Sequence, residues 1–254
     1  MLALRIKLLL ETRLKMRKIV LLPFAVIIFS LPSMAFGLAM NLQNWTASPG
    51  GNWNVSNDGY SVLQTINGQP TYFVSDTDYF NRLIEGTLTV KTTSDDDFIG
   101  FVFGLNSSDD YLLFDWKQNN QTAGPGTGLE GFTLSRITGS DINLWEHTGN
   151  DLEILASSYS SSLGWRDLQN YEFSLDYSAA RTIISIDDET IFDIAGDFNT
   201  GLFGFYNYSQ AYVNYSGFVE EQSAVVPEPS TFAFMCLGVI GVVALRKKQQ
   251  RFTA

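Results

Sequence analysis

Tyr171-Glu172-Phe173-Ser174-Leu175-Asp176-Tyr177 alternates apolar and polar residues without a break. Successive side chains of a strand point to opposite faces, so the stretch predicts a half-buried strand with Tyr171, Phe173, Leu175 and Tyr177 inward. Runs of the same kind lie on both sides of it, at 61–66, 84–91, 98–103, 111–116, 132–137, 182–186, 190–194, 202–206 and 211–218. Turn-forming clusters such as Asn67-Gly68, Asn106–Asp110 and Asp187-Asp188 separate them. No long stretch between them carries the period of a helix. Asn119–Gly128 reads as a loop inside one domain. Together these features predict an all-β fold over residues 38–222, with two antiparallel sheets packed as a sandwich or jelly roll.

Composition narrows the class. Of 254 residues, 45% are hydrophobic and 17% charged, which suits a globular chain and not a disordered one. Residues 38–226 hold six basic and 25 acidic side chains, a formal charge of −19. A field of that sign repels nucleic acid and attracts cations. The one cysteine, Cys236, and the one histidine, His147, exclude a disulfide framework and a multi-histidine metal centre from the domain.

Both ends read as addresses. Arg17-Lys18, the apolar run Ile19–Leu31 and small residues before Ala35 and Gly37 form the three-part pattern of a secretory signal peptide over residues 1–37, with Met16 as an alternative start. A linker over 223–230 contains Pro227, Glu228 and Pro229, and prolines there halt any regular element. The uncharged segment 231–245 follows. At ~1.5 Å per residue it is about 22 Å long, short against a hydrocarbon core of ~30 Å. Arg246, Lys247 and Lys248 open a basic tail, 246–254, expected to stay cytoplasmic.

Pro-Glu-Pro, a short apolar segment and a basic cluster, in that order over 226–251, resemble the PEP-CTERM sorting signal of Gram-negative bacteria. The resemblance implies an exosortase-type processing enzyme as partner. It also implies transient anchoring in the inner membrane by the C-terminal helix, facing the periplasm, before delivery to the cell surface or an exopolysaccharide matrix.

A second series of words lies in the domain: Asn52-Trp53-Asn54-Val55, Ser61–Asn67, Glu85-Gly86-Thr87, Asp95–Gly104, Trp116-Lys117-Gln118, Leu144–Gly149, Gly164–Asp167 and Gly201–Asn207. In this order, over about residues 45–218, they resemble the C-terminal domain of thrombospondins. That resemblance implies a lectin-like β-sandwich, an extracellular adhesion role and calcium as a structural ion; it does not imply catalysis, and no enzyme activity is expected. One departure is Gly204, where the family carries a cysteine.

Asp95-Asp96-Asp97 is the leading cation candidate, because three adjacent carboxylates repel one another unless a cation neutralises them. Calcium takes 6–8 oxygen ligands, so other loops must contribute, and Asp76, Asp78 and Asn207 are the expected helpers. Asp109-Asp110 and Asp187-Asp188-Glu189 read as hairpin turns, the five tryptophans as core, and His147 as structural. The function expected is an exported binding module whose ligand is an extracellular polysaccharide or a surface protein. Two alternatives stand beside it. One is a glycoside hydrolase, for which Asp76-x-Asp78 or Asp151-x-Glu153 would supply the two carboxylates, and the other is a purely structural matrix protein.

Overall fold

A computed structural model of the chain describes residues 37–222, apart from Pro125. The expected signal peptide up to residue 36 lies outside the described residues. So do Pro227, Glu228 and Pro229, the 231–245 segment, and Arg246, Lys247 and Lys248.

Among the described residues there are seventeen strands, numbered in chain order, and no helix. One sheet runs β15 (Glu189–Ala195), β14 (Arg181–Ile186), β13 (Asn170–Tyr177), β6 (Arg82–Val90), β17 (Val213–Gln222), β4 (Ser61–Gln64), β3 (Trp53–Val55). In it, β1 (Leu38–Ala39) also pairs with β17. The other sheet runs β12 (Leu152–Tyr159), β11 (Gly131–Ile137), β8 (Asp110–Lys117), β7 (Phe98–Ser107), β16 (Leu202–Tyr208), β5 (Thr71–Asp78), β2 (Thr46–Ala47). All pairings are antiparallel, and the two sheets stack as a lectin-like sandwich. Every run expected from the alternation is a strand, most of them a residue or more longer. The Asn119–Gly128 segment is more ordered than a loop. It folds as a ribbon of β9 (Gln121–Ala123) and β10 (Gly126–Gly128), with the Thr122 and Thr127 hydroxyls 3.0 Å apart.

In β13 the alternation survives intact: Tyr171, Phe173, Leu175 and Tyr177 are buried while Glu172 is exposed. Their partners across the gap are aromatic. Phe101 stacks on Phe114 and on Phe173, each with centroids 4.8 Å apart, and Phe205 stacks on Tyr215 at 4.5 Å. Such offset pairs add to area burial, and here they build most of the inter-sheet core.

β7 departs from alternation for a physical reason: Phe98 to Leu105 are all buried. Its sheet is covered on its outer face too, by the connection between β11 and β12, residues 138–151. That flap lays Leu144, Trp145 and His147 on Phe98, Val102, Tyr111, Leu113 and Tyr206 to form a second, smaller core. A strand buried on both sides reads as a continuous apolar run. Four of the tryptophans, Trp45, Trp116, Trp145 and Trp165, are buried as expected, and Trp53 is half-buried against Phe73. At Gly204 an added Cβ would lie 2.6 Å from Val74 Cγ1 and 2.7 Å from the Phe73 carbonyl oxygen, so this packing of β16 on β5 has no room for the family's cysteine.

Candidate functional site

The turn between β6 and β7 carries Asp95, Asp96 and Asp97 at one pole of the sandwich. One oxygen from each lies within 4.8 Å of the others. Asp95 and Asp96 are half-buried and Asp97 buried. Neighbouring loops reach in. Asn67, between β4 and β5, donates from Nδ2 to Asp95 Oδ2, and Ser209 donates to Asn67 Oδ1 at 3.2 Å. Asn119 Nδ2 lies 3.4 Å from Asp96 Oδ2. Burial, then the charge of Asp97, pushes the Asp95 carboxyl up to about 6.

Asp97 is already neutralised from inside. Lys117 Nζ sits 2.6 Å from Asp97 Oδ1, with both side chains almost wholly buried. The same nitrogen donates to the Asp96 carbonyl at 3.1 Å and to Gln121 Oε1 at 3.1 Å. It also lies over the rings of Phe98 and Trp145, 5.1 and 4.9 Å from their centroids. The Asp97 backbone is held as well: its N–H donates to Gln210 Oε1 at 3.0 Å and its carbonyl accepts from Trp165 Nε1 at 3.0 Å.

Lys117, Gln210, Asn67 and Trp165 were not among the expected site residues. A signal existed for Lys117. In Tyr111-Leu112-Leu113-Phe114-Asp115-Trp116-Lys117 the period of two puts Asp115 and Lys117 on one face with Tyr111 and Leu113. Charges sharing the face of an apolar strand need partners. Asp115 finds His147, whose Nε2 is 2.8 Å from Asp115 Oδ2, both buried. Burial raises the Asp115 carboxyl, with His147 and then Lys117 opposing that rise.

The other expected helpers lie elsewhere or are engaged. Asn207 is at the same pole, but its Nδ2 donates to the Gln210 carbonyl and its Oδ1 accepts from Tyr215. Asp76 and Asp78 are exposed near the far end of β5, where Asp78 is level with Leu202 and hence with Leu105 of β7. Seven residues of strand, about 23 Å at ~3.3 Å each, separate Leu105 from Phe98. Asp151 Oδ2 accepts from the Asp141 N–H at 2.9 Å, and Glu153 pairs with Arg136 at 3.6 Å. Asp187 and Asp188 both take positive φ in the β14–β15 turn, as a two-residue hairpin requires.

The donor set of the pole suits calcium in kind: carboxylate oxygens on a turn, with two amides beside them. A half-turn of the Asn67 or Asn119 amide would present oxygen in place of nitrogen. Lys117 holds Asp97 at 2.6 Å and lies 3.7 Å from Asp96 Oδ1, so Asp95 and the Oδ2 side of Asp96 are the carboxylate oxygens left for an ion.

Two stacked antiparallel sheets with a loop-built polar pole define a lectin-like β-sandwich module. Solved structures share this fold. One is the carbohydrate binding module CBM66 from Bacillus subtilis, with TM-score 0.51 and 13% identity, covering 70% of this chain and 94% of that one. Another is the VIP36 exoplasmic/lumenal domain in its Ca2+/Man-bound form, with TM-score 0.50 and 14% identity, covering 73% and 85%. The chain belongs to the thrombospondin C-terminal region family, which it matches over residues 48–222. Residues 225–248 match the PEP-CTERM protein-sorting motif. That motif implies recognition by an exosortase-type enzyme and export to the cell surface through a membrane-anchored intermediate.

Among curated relatives, Thrombospondin-4-B of Danio rerio is 34% identical over 140 residues, which is 50% of this chain and 15% of that protein. Cartilage oligomeric matrix protein of Rattus norvegicus is 32% identical over 140 residues, 50% of this chain and 18% of that protein. The match thus spans less than a fifth of either relative's length.

Proposed function

We propose that this chain is an exported, calcium-stabilised binding module that holds extracellular polysaccharide, or a surface protein, at the cell surface. The observation that carries the reading is the turn Asp95–Asp97, where three carboxylates cluster and burial, then the charge of Asp97, pushes Asp95 up to about 6. A divalent cation relieves that repulsion and draws Asp95 and Asp96 together. In doing so it fixes the β6–β7 turn against the loops that carry Asn67 and Asn119. Rigid loops at the end of a sandwich then present the binding surface, which is where such folds carry function. The thrombospondin family membership and the lectin-like neighbours, one a carbohydrate binding module and one bound to Ca2+ and Man, support the reading. In this scheme an exosortase-type enzyme processes the chain near Pro227-Glu228-Pro229 after the 231–245 segment has held it in the inner membrane, facing the periplasm.

The test uses the full-length chain in a detergent without a sugar headgroup. Its thermal melt is recorded in millimolar calcium and in chelator, and its co-sedimentation with purified exopolysaccharide is measured in both. An ion bound only by the native state stabilises it by about 2.7 kcal/mol at 100 times its Kd, which raises Tm by several degrees. That rise is expected to vanish in Asp95→Asn/Asp96→Asn, and polysaccharide capture to weaken with it. Identical melts would remove calcium from the proposal. Absence of co-sedimentation in either condition would remove the polysaccharide.

A further inference from the structure

The flap 138–151 covers the outer face of the sheet that contains β7 and β8. The other sheet turns Tyr171, Val90, Val213 and Val62 to the core, so their neighbours along each strand point outward. The register sets those outward residues in rows across five strands. Asn170 of β13 is level with Thr89 of β6, Thr89 with Asn214 of β17, Asn214 with Leu63 of β4, and Leu63 with Asn54 of β3. The row crosses four strand spacings, about 19 Å at ~4.8 Å each. It carries no charge, in a domain with 25 acidic side chains. Asn54 and Asn170 are exposed, and Asn214 and Leu63 half-exposed. The Asn54 and Asn214 amides make no hydrogen bond with any described residue, and Asn170 uses only Oδ1, accepting from the Thr89 hydroxyl at 2.6 Å.

Two residues nearer the acidic turn, Leu168, Lys91, Tyr212 and Thr65 form a second row. The Leu168 N–H donates to the Val90 carbonyl at 2.9 Å and the Lys91 N–H to the Tyr212 carbonyl at 2.7 Å. Lys91 makes no ion pair with any described residue. Tyr212 is 50% exposed, and its ring meets no described aromatic. Leu168 and Tyr212 both take positive φ, 60° and 57°, which is costly for bulky side chains. The chain therefore keeps strain at two positions that display apolar groups beside the neutral row.

We infer that this outer face binds a neutral polysaccharide laid across the strands. Side-chain amides both donate and accept, as sugar hydroxyls do, so an uncharged row of them matches an uncharged surface of hydroxyls. Leu63 and the Tyr212 ring meet the apolar C–H faces of the sugar rings. The row is longer than one ring, so it takes an internal run of the polymer. Farther along the same face Glu85, Glu172 and Asp188 line a cleft, and their carboxylates turn away uronate polymers. A purely apolar partner would strand the amides. The assignment rests on the glycan-binding reading above and adds to it the face and the sugar class.

The test is native electrophoresis of the full-length chain, in the same detergent, through gels cast with purified glucan, mannan or galactan. A gel cast with polygalacturonate gives the anionic comparison. Retardation in at least one neutral gel is expected. The apparent Kd should rise roughly tenfold in Asn54→Ala/Asn214→Ala and in Tyr212→Asn, since asparagine accepts the positive φ. Thermal melts that match the parent show that these surface variants are folded. No retardation in any neutral gel, retardation unchanged in both variants, or stronger retardation by polygalacturonate would each overturn the inference. So would a dimer, seen by light scattering and lost in the same variants, since it would give the face to a second copy. Exopolysaccharide co-sedimentation that persists in both variants would overturn this face alone, and leave the wider proposal to its own calcium and sedimentation tests.

Discussion

Replacing Lys117 by methionine leaves Asp97 buried without its partner, and breaking a buried pair on one side costs about 3–5 kcal/mol. The double variant Lys117→Met/Asp97→Asn is expected to recover more than half of that loss in urea denaturation, because no uncompensated charge remains. A single variant within about 1 kcal/mol of the parent would show that the pair is not what steadies the turn. Asp95 makes the opposite kind of prediction. Its carboxyl is raised from an ordinary value of 3.8 to about 6, so the folded state holds the proton more tightly than the unfolded one. The stability this contributes is fully present below pH ~4 and is lost as pH rises through 6. In chelator, Asp95→Asn should flatten that decline between pH 4 and 6.5, read as Tm against pH. The acidic turn itself was legible in the sequence as three consecutive aspartates. Its internal cation was not, because lysine is almost never fully buried, and Lys117 becomes so only where Trp145 of the flap and Gln121 and Gly128 of the β9–β10 ribbon close over it.

At the scale of elements, the flap 138–151 is the part that sequence periodicity could not place. It holds only three large apolar side chains, Ile142, Leu144 and Trp145, among turn-forming residues, yet Leu144, Trp145 and His147 dock it onto β7, β8 and β16. Its anchor is the buried His147–Asp115 hydrogen bond. Since Asp115 Oδ1 has no hydrogen-bond partner among the described residues, His147→Phe leaves the whole carboxyl unsatisfied, at a cost of about 1–3 kcal/mol. Amide hydrogen exchange should quicken across 138–151 and leave β13 and β6 unchanged; uniform exchange through both sheets would show that the flap has no separate stability. The strands that alternation missed fail for related reasons. Thr71–Asp78 mixes Tyr72 and Val74 on the face opposite Phe73, because both sides of its sheet are lined, so polar and apolar residues do not segregate. Leu152–Tyr159 is an edge strand whose small and exposed residues carry too weak a pattern. Where one face met solvent, as in β13, the sequence was sufficient.

At the scale of the whole molecule, the fold class and the C-terminal sorting motif were legible from the chain alone, because alternation and the Pro-Glu-Pro word with its apolar and basic followers are one-dimensional signals. The full make-up of the acidic pole was not, since Asn67, Asp97, Lys117 and Gln210 come from separate parts of the chain and meet only when the strands assemble. The same assembly decides where the ends of the domain lie. β1, just after Gly37, is bonded to the last residues of β17, with Leu38 opposite Glu220. Gln222 in turn pairs with Arg82, at the start of β6, while the acidic turn follows the end of β6 and the loop 160–169 leads into β13 beside Thr89. The described domain therefore begins and ends at one pole and carries its acidic turn at the other. A pull between a bound polymer and the membrane tail would run lengthwise along β17 and β6. Their ladder bonds lie across the strands, so that load shears many of them at once and cannot peel them one by one. Under the proposed function, a sandwich loaded this way is strongest along the line in which drag on its bound polymer would stretch it.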